Sequence, residues 1–430
     1  MSARKMKDSG NQWIGEIPEE WETRKIKFIA NISTGNTPSK NNEEYYADEG
    51  LKWVKPDNLA DFNEIQITEE YLSDEGQKVA RIAPANSVLV CCIGTIGKIG
   101  YSSESVAYNQ QINAVSFGEK MKWKYGMYFL SSQQEQARFY MNGNVMFILN
   151  TENQKRIEIT LPDLKEQQKI VSYLDEKCEA IDKIVARKQK QNEQLAEYRQ
   201  SLITEAVTKG LNPSVPMKNS GIEWIGEIPE EWQVLPLKYL LKYPLQYGAT
   251  ETGEDYVDGY PRYIRITDID SNNKLKEENQ RYLNFKDASP FILNDGDILF
   301  ARSGATVGKT FLYLSEYGKA AFAGYLVRAS VNTDVAFSKF IYYYTFSYCY
   351  EYWKNMIFSQ ATIQNIGADK YSIIDVPQPP LAEQKAIAAY LDKKCGDIDA
   401  LSERNKNIIE SLQEYKQSLI YEAVTGKIEL

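Results

Sequence analysis

Histidine is missing from all 430 residues of this chain. Its absence excludes Ser-His-Asp and Cys-His catalysis and every metal site that needs a histidine ligand. The chain also has no Cys-x-x-Cys pair, and its five cysteines follow no disulfide framework, a pattern typical of reduced thiols. An enzyme built on this sequence would have to use carboxylates, lysines or a bound cofactor.

Long apolar runs and a basic charge balance are missing as well. No apolar stretch reaches the roughly 18 residues of a membrane span and no apolar signal segment begins the chain, so we expect a cytoplasmic protein without membrane contact. The formal net charge of −9 argues against an indiscriminate nucleic-acid binder, but it is compatible with a specific one that has local basic surfaces. The composition, 43% hydrophobic and 25% charged, is typical of a soluble chain with two or three domains.

What the sequence does contain is a long helical pattern that occurs twice. The first copy runs from about Asp163 to Thr208, and the second begins near Leu381. Alternating steps of four and three residues meet mostly apolar side chains in both copies, which predicts a coiled-coil seam. A helix of about 45 residues is roughly 67 Å long. An isolated helix of this kind forms an intermolecular dimer in about half of all cases. Here the internal duplication favours pairing of the two copies within one chain.

Two residue pairs on these helices have a structural interpretation. Cys178 and Cys395 fall on the apolar stripe, so we expect them to pack in the seam. Asp175 and Asp392 are expected on solvated helix faces.

A second repeat precedes each helix. The motif Trp-Ile-Gly-Glu-Ile-Pro-Glu-Glu-Trp ends at Trp21 and again at Trp232. We call the segments Ser9–Trp21 and Ser220–Trp232 the leading motifs. Each is followed by a variable stretch of short apolar or alternating runs bounded by turn residues, which predicts a strand-rich α+β domain. The chain is therefore a duplicated module with a pseudo-two-fold repeat.

The predicted domain boundaries follow from these repeats and from Pro213, which with Pro216 ends the first helix. They are 1–20 for an N-terminal segment, 21–162 for the first variable domain, 163–209 for the central long helix, 210–232 for the linker and second leading motif, 233–379 for the second variable domain, and 380–430 for the distal long helix with its C-terminal tail.

Two glycine-rich loops resemble phosphate-binding P-loops without matching them. The segment Gly304–Thr310 has three residues between its glycines and Gly94–Ile99 has two, whereas a P-loop needs four. We interpret both as turns that follow a strand, or as loops that let backbone and a lysine approach a nucleic-acid phosphate. A nucleotide-dependent enzyme is the less favoured alternative.

Two further motifs have competing interpretations. Asn109-Gln110-Gln111 is suited to bidentate reading of adenine, but such a tripeptide is more often a solvated turn or a hydrogen-bonded core edge. The tyrosine-rich segment 341–352 could offer faces on which bases stack. We favour packing of this segment against the sheet and the coiled coil.

Together, the duplicated leading motif, the two glycine loops, Asn109-Gln110-Gln111 and the Glu-Gln…Tyr-Leu-Asp…Ile-Asp helices make the chain resemble the DNA-specificity (S) subunit of type I restriction-modification systems. The resemblance covers essentially the full length. It implies an α+β fold in which two strand-rich target recognition domains are separated by two long antiparallel coiled-coil helices. Each domain would read one half of a bipartite site in double-stranded DNA, and helix length, equivalent to at most about 20 base pairs, would set the gap between the half-sites.

The resemblance also assigns the chemistry to other chains. A subunit of this family is not itself catalytic, and this chain is expected to bind no cofactor. It would recruit two adenine-N6 methyltransferase (M) subunits, which use S-adenosylmethionine and flip out the target base, and two restriction (R) subunits, which use ATP and Mg. The repeated helices and leading motifs would form much of the docking surface. A coiled-coil scaffold that reads no DNA is the alternative from another class.

Candidate DNA-contacting residues are the polar and basic side chains of the predicted loops. In the first domain they are Asn36, Thr37, Lys40, Lys55, Asn58, Thr95, Lys98, Asn109, Gln110 and Gln111. In the second domain they are Arg265, Thr267, Arg302, Ser303, Thr306, Lys309, Gln360 and Gln364.

Residue chemistry predicts different roles for two members of this set. Arginine presents a fork of donors suited to base edges, whereas lysine is a point charge suited to phosphate. Arg302→Ala is therefore expected to change sequence preference, and Lys309→Ala to weaken binding to all sequences alike. Binding measured against a panel of DNA sequences distinguishes these results.

Overall fold

The computed structural model describes residues 4–60, 62–94, 97–141, 148–270, 273–304, 306–359 and 365–430. The chain divides into two compact units: unit 1 comprises residues 1–188 and 407–430, and unit 2 comprises residues 189–406. Within the described ranges no helix is both long enough and apolar enough to cross a membrane.

Unit 1 is built from short strands and a few helices. Its strands are β1 (Met6–Asp8), β2 (Glu16–Pro18), β3 (Glu22–Lys25), β4 (Ala30–Thr34), β5 (Tyr46–Ala47), β6 (Leu51–Val54), β7 (Tyr71–Leu72), β8 (Ile82–Ala83), β9 (Val88–Cys91), β10 (Ile99–Tyr101), β11 (Val106–Tyr108), β12 (Ile112–Phe117) and β13 (Glu158–Leu161). Its helices are α1 (Asp74–Val79), α2 (Trp123–Ser132), α3 (Gln134–Phe139), α4 (Thr151–Gln154) and the first part of α5 (Leu164–Lys209). One sheet has the order β10-β9-β12-β4 and another β5-β7-β6-β11-β8. Strand β9 is buried along its whole length because both of its faces are covered: Val88 and Val90 enter one apolar cluster, and Leu89 and Cys91 enter another. Burial on both faces explains its continuous apolar run.

Unit 2 repeats this plan. Its strands are β14 (Met217–Asn219), β15 (Glu227–Pro229), β16 (Gln233–Pro236), β17 (Gln246–Tyr247), β18 (Arg262–Ile264), β19 (Ile298–Ala301), β20 (Thr310–Leu312), β21 (Ala320–Phe322), β22 (Leu326–Ala329) and β23 (Asp375–Gln378). Its helices are α6 (Phe285–Ala288), α7 (Ser338–Tyr344), α8 (Tyr348–Ser359), α9 (Ala368–Ser372) and most of α10 (Leu381–Val424).

Most strands of unit 2 have a counterpart in unit 1, although the five-stranded sheet of unit 1 corresponds to a two-stranded sheet in unit 2. The sheet β17-β22-β19-β20 has the same order as β4-β12-β9-β10. The parallel pair β18–β21 corresponds to the parallel pair β6–β11. Strand β16 pairs antiparallel with β23 as β3 pairs with β13. The predicted α+β class and internal repeat are confirmed.

The two predicted long helices are confirmed as α5, with 46 residues, and α10, with 44. Within unit 2 their segments run antiparallel, because Asn192 contacts Asn405 whereas the later residue Arg199 contacts the earlier residue Asp399. The same holds within unit 1, where Lys169 reaches the backbone oxygen of Leu430 and Asp182 binds Lys416.

The predicted seam is buried, as are the two cysteines on it. Leu174, Cys178 and Ile181 are buried in unit 1, and Leu391 and Cys395 in unit 2. Other apolar positions of the stripe, such as Val185 and Leu195, are half-buried, so the stripe is removed from water fully at some positions and partly at others.

Polar residues within the seam pair with one another instead of facing water. The Asn405 side-chain amide donates to Oδ1 of Asn192 at 3.0 Å, and Asn192 donates to the Ser402 carbonyl oxygen at 3.4 Å. A buried Asn pair of this kind stabilises one register of two helices over its alternatives.

The Asp182–Lys416 pair provides a test of charge pairing in unit 1. Lys416 Nζ lies 2.7 Å from both Asp182 carboxylate oxygens and 4.8 Å from the ring centre of Phe62. The Lys416 side chain is 11% exposed and that of Asp182 is 55% exposed, so the attraction is only partly screened. Lys416→Glu is expected to lower the free energy of unfolding by about 2 kcal/mol, because it buries a charge beside a like charge.

The double variant D182K/K416E should recover part of that loss. A double-mutant cycle measured by urea unfolding isolates the pair energy. Strictly additive effects would show that the two charges do not interact.

Each leading motif ends in a buried tryptophan that binds the start of a long helix. Trp21 Nε1 donates to Glu166 at 2.7 Å in unit 1, and Trp232 Nε1 donates to Glu383 at 3.1 Å in unit 2. Each indole also packs where the other long helix ends: an added Cβ at Gly426 would lie 3.1 Å from the Trp21 ring. The glutamate of each Glu-Gln motif, Glu166 or Glu383, thus joins the leading motif to the long helix.

The glutamine of the same motif joins each helix to its variable domain. In unit 1 the buried Gln167 accepts a hydrogen bond from Lys122 N and donates to the carbonyl oxygens of Lys120 and Pro162. In unit 2 Gln384 accepts a hydrogen bond from Phe337 N and donates to the carbonyl oxygens of Val335 and Pro379. The carbonyl oxygen of Pro162 would otherwise be buried without Gln167 as its partner, a costly state.

The expected solvated position of Asp175 and Asp392 is confirmed only in part, because their side chains are 39% and 40% exposed but each carboxylate is also hydrogen-bonded within its unit. Asp175 accepts hydrogen bonds from Tyr128 at 2.8 Å and Lys124 at 2.7 Å. Asp392 is held by a Tyr and a Lys in the same way. Burial and the carboxylate both raise the pKa of the Tyr128 hydroxyl, which therefore remains a donor. The sequence could not reveal this role, since the partners come from a distant helix.

Candidate nucleic-acid interface

In unit 1 the loops that carry most candidate residues are connected by backbone hydrogen bonds where β4, β6, β9 and β11 end. Asn36 N donates to Tyr108 O at 3.0 Å, Asn109 N to Val54 O at 3.0 Å, and Cys92 N to Gln111 O at 2.8 Å. We call this set of three bonds the loop frame. Because each bond joins two different loops, the frame brings segments distant in sequence to one place.

Unit 2 contains the same loop frame. Ala249 N donates to Phe322 O at 2.9 Å, Ala323 N to Ile264 O at 2.9 Å, and Arg302 N to Tyr325 O at 3.0 Å. Position by position, Arg302 therefore corresponds to Cys92, and Ala323-Gly324-Tyr325 corresponds to Asn109-Gln110-Gln111. The frame is identical in the two units, but the side chains it presents differ.

Glycine is required at one position of each frame. A Cβ on Gly35 would lie 2.1 Å from Tyr108 O, and one on Gly248 would lie 2.4 Å from Ala323 O. No side chain can be accommodated so close to backbone. These glycines allow the loops to approach each other.

A capped turn follows β6 and β18 and is braced by a lysine. Asn58 accepts from Lys55 N at 2.8 Å, as Asp268 accepts from Arg265 N at 2.8 Å. Lys98 Nζ donates to Pro56 O at 3.2 Å. Lys309 Nζ donates to the Asp270 carbonyl oxygen, and burial lowers the pKa of its ammonium group.

Two candidate lysines of unit 1 share one carboxylate. Lys40 lies 2.9 Å from Glu70, and Lys55 also binds Glu70. Burial alone would raise the pKa of Glu70, but the hydrogen bonds from Lys55 and Lys40 outweigh it, so the pKa lies below its ordinary value. The carboxylate is thus charged at neutral pH and offsets much of the positive charge offered to a phosphate.

The amide residues of unit 1 divide into buried and exposed members. Asn109 is buried and donates to Gln111 Oε1 at 3.1 Å, so this part of the motif is a hydrogen-bonded core edge. The side chain of Asn36 is bound to the backbone of Val79 and Arg81. Gln110 is exposed, and its side-chain oxygen accepts a hydrogen bond from the Thr37 hydroxyl. Gln110 is therefore the amide of the motif that faces outward.

The unit 2 candidates lie around its own frame. Arg265 is committed to Asp268, at 2.7 Å and 3.1 Å, and to Asn279 O. Thr267 and Thr306 are exposed, and Ser303 forms a β-bridge with Asn365. The candidates Thr95, Gln360 and Gln364 lie outside the described residues.

Two functional candidates were missed at the level of sequence. The guanidinium carbon of Arg302 lies 4.7 Å from the ring centre of Tyr247. Tyr247 is 41% exposed and Tyr325 is 65% exposed. Tyr247 and Tyr325 are the two missed candidates, because single tyrosines in a chain with 30 of them give no sequence signal. Only the loop frame shows that Tyr247 corresponds to Thr34 and Tyr325 to Gln111.

The geometry argues against nucleotide chemistry at the glycine-rich loops. Each of them connects two adjacent antiparallel strands, β9 to β10 and β19 to β20. A P-loop instead leads from a strand into a helix, whose N-terminus holds the phosphate. The interpretation as turns after a strand is supported by the hydrogen bonds from Gly97 N to Cys91 O and from Gly308 N to Ala301 O, while Thr95, Ile96 and Ala305 lie outside the described residues.

Other reactive groups are buried or committed to packing. All five cysteines are buried, and burial raises the pKa of Cys92 to about 12, so its thiol is not a nucleophile at neutral pH. Tyr343, Tyr344 and Tyr350 are buried, in agreement with packing of the tyrosine-rich segment, whereas Tyr348 and Tyr352 of the same segment are about half exposed. In the part of the chain that the structure describes, no three His, Cys, Asp or Glu residues form a metal-binding group.

A family model described as the type I restriction modification DNA specificity domain matches residues 18–195 and 229–412. The MjaVIII specificity subunit of Methanocaldococcus jannaschii is 24% identical over 434 residues, covering 96% of this chain and 94% of its own. The EcoKI specificity subunit of Escherichia coli is 30% identical over 213 residues, covering 47% of this chain and 44% of its own.

A solved structure has a similar fold. It comes from work titled as the structural basis of complex assembly and conformational transition of the type I R-M system. It covers 96% of this chain and 99% of that chain with a TM-score of 0.72 and 16% identity. At this identity the likeness concerns the fold.

Proposed function

The chain belongs to the family of type I restriction-modification DNA specificity proteins and has two target recognition domains, and from this premise we propose that each domain reads one half of a bipartite DNA site. Like its named relatives, it is a specificity subunit, a recognition component rather than a catalytic one. The proposed recognition domains are residues 21–162 and 233–379, and the proposed contacts are the candidate side chains at the loop frames.

The observation that supports this proposal most directly is the identical loop frame with different side chains. A protein that reads two different half-sites needs the same docking geometry twice, with different base-reading groups. At its loop frame unit 1 presents Gln110 and Thr37, whereas unit 2 presents Arg302, Tyr247 and Tyr325, with Arg302 in the place of Cys92 and Tyr325 in the place of Gln111. A mere scaffold would have no use for polar groups that differ at corresponding positions.

We further propose that the chain docks M and R subunits. The surfaces that occur in both units are the natural sites for two copies of one partner, because identical partners need matching surfaces. They are the leading motifs, Ser9–Trp21 and Ser220–Trp232, together with the first turns of α5 and α10, to which the tryptophans donate hydrogen bonds. The partners would bring S-adenosylmethionine, ATP and Mg, and flip the target adenine.

The decisive experiment is to map N6-methyladenine in host DNA by long-read sequencing, with and without this chain. We expect a bipartite motif with a fixed gap that disappears when the chain is deleted. An unchanged methylation pattern would contradict the specificity role.

A domain exchange separates the reader from a scaffold. Replacing residues 21–162 by the corresponding domain of another family member is expected to change one half-site and to leave the other and the gap unchanged. A scaffold would leave both half-sites as they were. An enzyme would instead bind ATP or S-adenosylmethionine as a purified chain, which isothermal titration measures directly and which we expect not to occur.

A further inference from the structure

We propose that Arg302, held against the face of Tyr247 and next to Tyr325, reads a guanine in the half-site taken by unit 2. The inference rests on the proposed function. It names the base and assigns a role to two tyrosines that residue chemistry alone did not single out. It is carried by the partners of the arginines, the position of Tyr247, and the contrast with unit 1.

Arg302 differs from the other arginines of the second recognition domain in its partners. Residues 233–379 contain five of them. Four bind oxygens of the domain itself: Arg262 binds Lys276 O, Arg265 binds Asp268, Arg281 binds Asp255, and Arg328 binds Ile292 O and the Gln246 side chain. For Arg302, no described carboxylate forms an ion pair, and its buried Nε has no hydrogen-bond partner within the described residues.

An aromatic ring orients the Arg302 side chain. The Tyr247 ring lies under the guanidinium, with 4.7 Å between the guanidinium carbon and the ring centre. Tyr247 is itself anchored, because its hydroxyl oxygen accepts a hydrogen bond from Ala368 N at 2.9 Å. An arginine stacked on a fixed aromatic ring loses little further freedom when it binds. Tyr247 is therefore a positioning residue for Arg302.

Arg302, Tyr247 and Tyr325 lie at the loop frame of unit 2. The Arg302 backbone N–H donates to Tyr325 O, so the arginine is tied to the turn that corresponds to Asn109-Gln110-Gln111 of unit 1. Tyr325 is mostly exposed and stands where Gln111 stands in unit 1. The residue that corresponds to Arg302 in unit 1 is the buried Cys92. Unit 1 thus lacks an arginine at this position, and the two half-sites are read by different chemistry.

The base follows from the donors. An arginine fork donates two hydrogen bonds to O6 and N7 of guanine in the major groove, and no other base offers two acceptors in that arrangement. Loss of such a contact lowers discrimination by roughly ten- to a hundred-fold. The exposed Tyr325 ring is placed to contact the neighbouring base pair through its edge or face.

The experiment uses the complete system in its host, with methylated motifs read by long-read sequencing. The half-site of unit 2 is the one that the exchange of residues 21–162 leaves unchanged. We expect Arg302→Ala to make one guanine position of that half-site degenerate, with the unit 1 half-site unaltered. Arg302→Lys keeps the charge but loses the fork, so it should relax the same position.

Matched controls separate reading from folding and from general charge. Arg281→Ala removes the same charge from the same domain but from an arginine paired with Asp255, so the motif should not change. Tyr247→Leu should partly relax the guanine position, whereas Tyr247→Phe, which keeps the ring, should relax it less. The unfolding temperature of each purified variant identifies any that fail to fold.

The possible outcomes are distinct. Absence of any bipartite motif that depends on this chain would contradict the proposed function itself. A motif that is present but unchanged by Arg302→Lys and Arg302→Ala would overturn only the inference made here. Equal loss of methylation at all sites, or a change in the unit 1 half-site, would also overturn it, since those are the results of a phosphate contact or a general defect.

Discussion

Trp21→Ala is expected to lower the free energy of unfolding of unit 1 by about 4 kcal/mol, the usual magnitude for removing a fully buried large aromatic side chain. Trp21 is 1% exposed and lies in the main apolar cluster of the unit. Its indole N–H donates to Glu166 at 2.7 Å, and Gly426 packs against its ring. The substitution therefore loosens the leading motif from the start of α5 and the end of α10 together. Urea unfolding followed by far-ultraviolet circular dichroism measures the loss.

Two related variants divide this effect into packing and hydrogen bonding. Trp21→Phe keeps most of the buried ring and loses the N–H, so we expect a smaller loss, of about 1–2 kcal/mol. Trp13→Ala, which removes a half-buried tryptophan from the same motif, should have a smaller effect than Trp21→Ala. Similar losses for Trp13→Ala and Trp21→Ala would contradict the central position of Trp21.

Gln167→Ala is expected to lower the free energy of unfolding by about 3 kcal/mol although glutamine is an ordinary polar residue. The side chain is fully buried and satisfies Lys122 N at 2.8 Å, Pro162 O at 2.8 Å and Lys120 O at 3.1 Å. Each buried backbone group left without a partner costs about 1–3 kcal/mol. Because these groups belong to the start of α2 and to the loop before α5, the substitution also weakens the attachment of the recognition domain to its helix.

The adjacent residue is a matched control. Gln168 is exposed and its amide donates to Ser172 at 3.3 Å, so Gln168→Ala should change the free energy of unfolding by less than about 0.5 kcal/mol. Gln167→Met preserves side-chain volume but cannot satisfy the backbone, and it should destabilise almost as much as Gln167→Ala. If Gln167→Met were as stable as the native protein, the role of Gln167 would be filling space rather than hydrogen bonding.

Parts of the fold could be predicted because their signals are local or repeated. The spacing of Leu174, Cys178 and Ile181, and of their counterparts, predicts α5 and α10 without reference to any other part of the chain. The two copies of the leading motif predict the duplication in the same way. The glycine loops could be recognised as turns because their spacing does not fit a phosphate.

The candidate interface could be predicted only in part. Loop residues such as Thr37, Gln110 and Arg302 were identified by their chemistry, and the structure brings them to the loop frames. The same chemistry also selected Asn109 and Arg265, whose side chains are occupied by partners within the protein. Residue type shows what a side chain can bind but not whether it is already bound.

The sequence by itself determined the helices, the duplication and the family, because periodicity and repetition are properties of the chain alone. Only the tertiary structure decided which polar groups are available. Asp175 and Asp392 have the composition of a solvated helix face, yet they bind tyrosines brought to them by the fold. Tyr247 becomes a support for Arg302 only because β17 and β19 flank the same strand, β22, and end at the same edge of the sheet. Such pairings depend on contacts between residues far apart in sequence, and no local pattern records them.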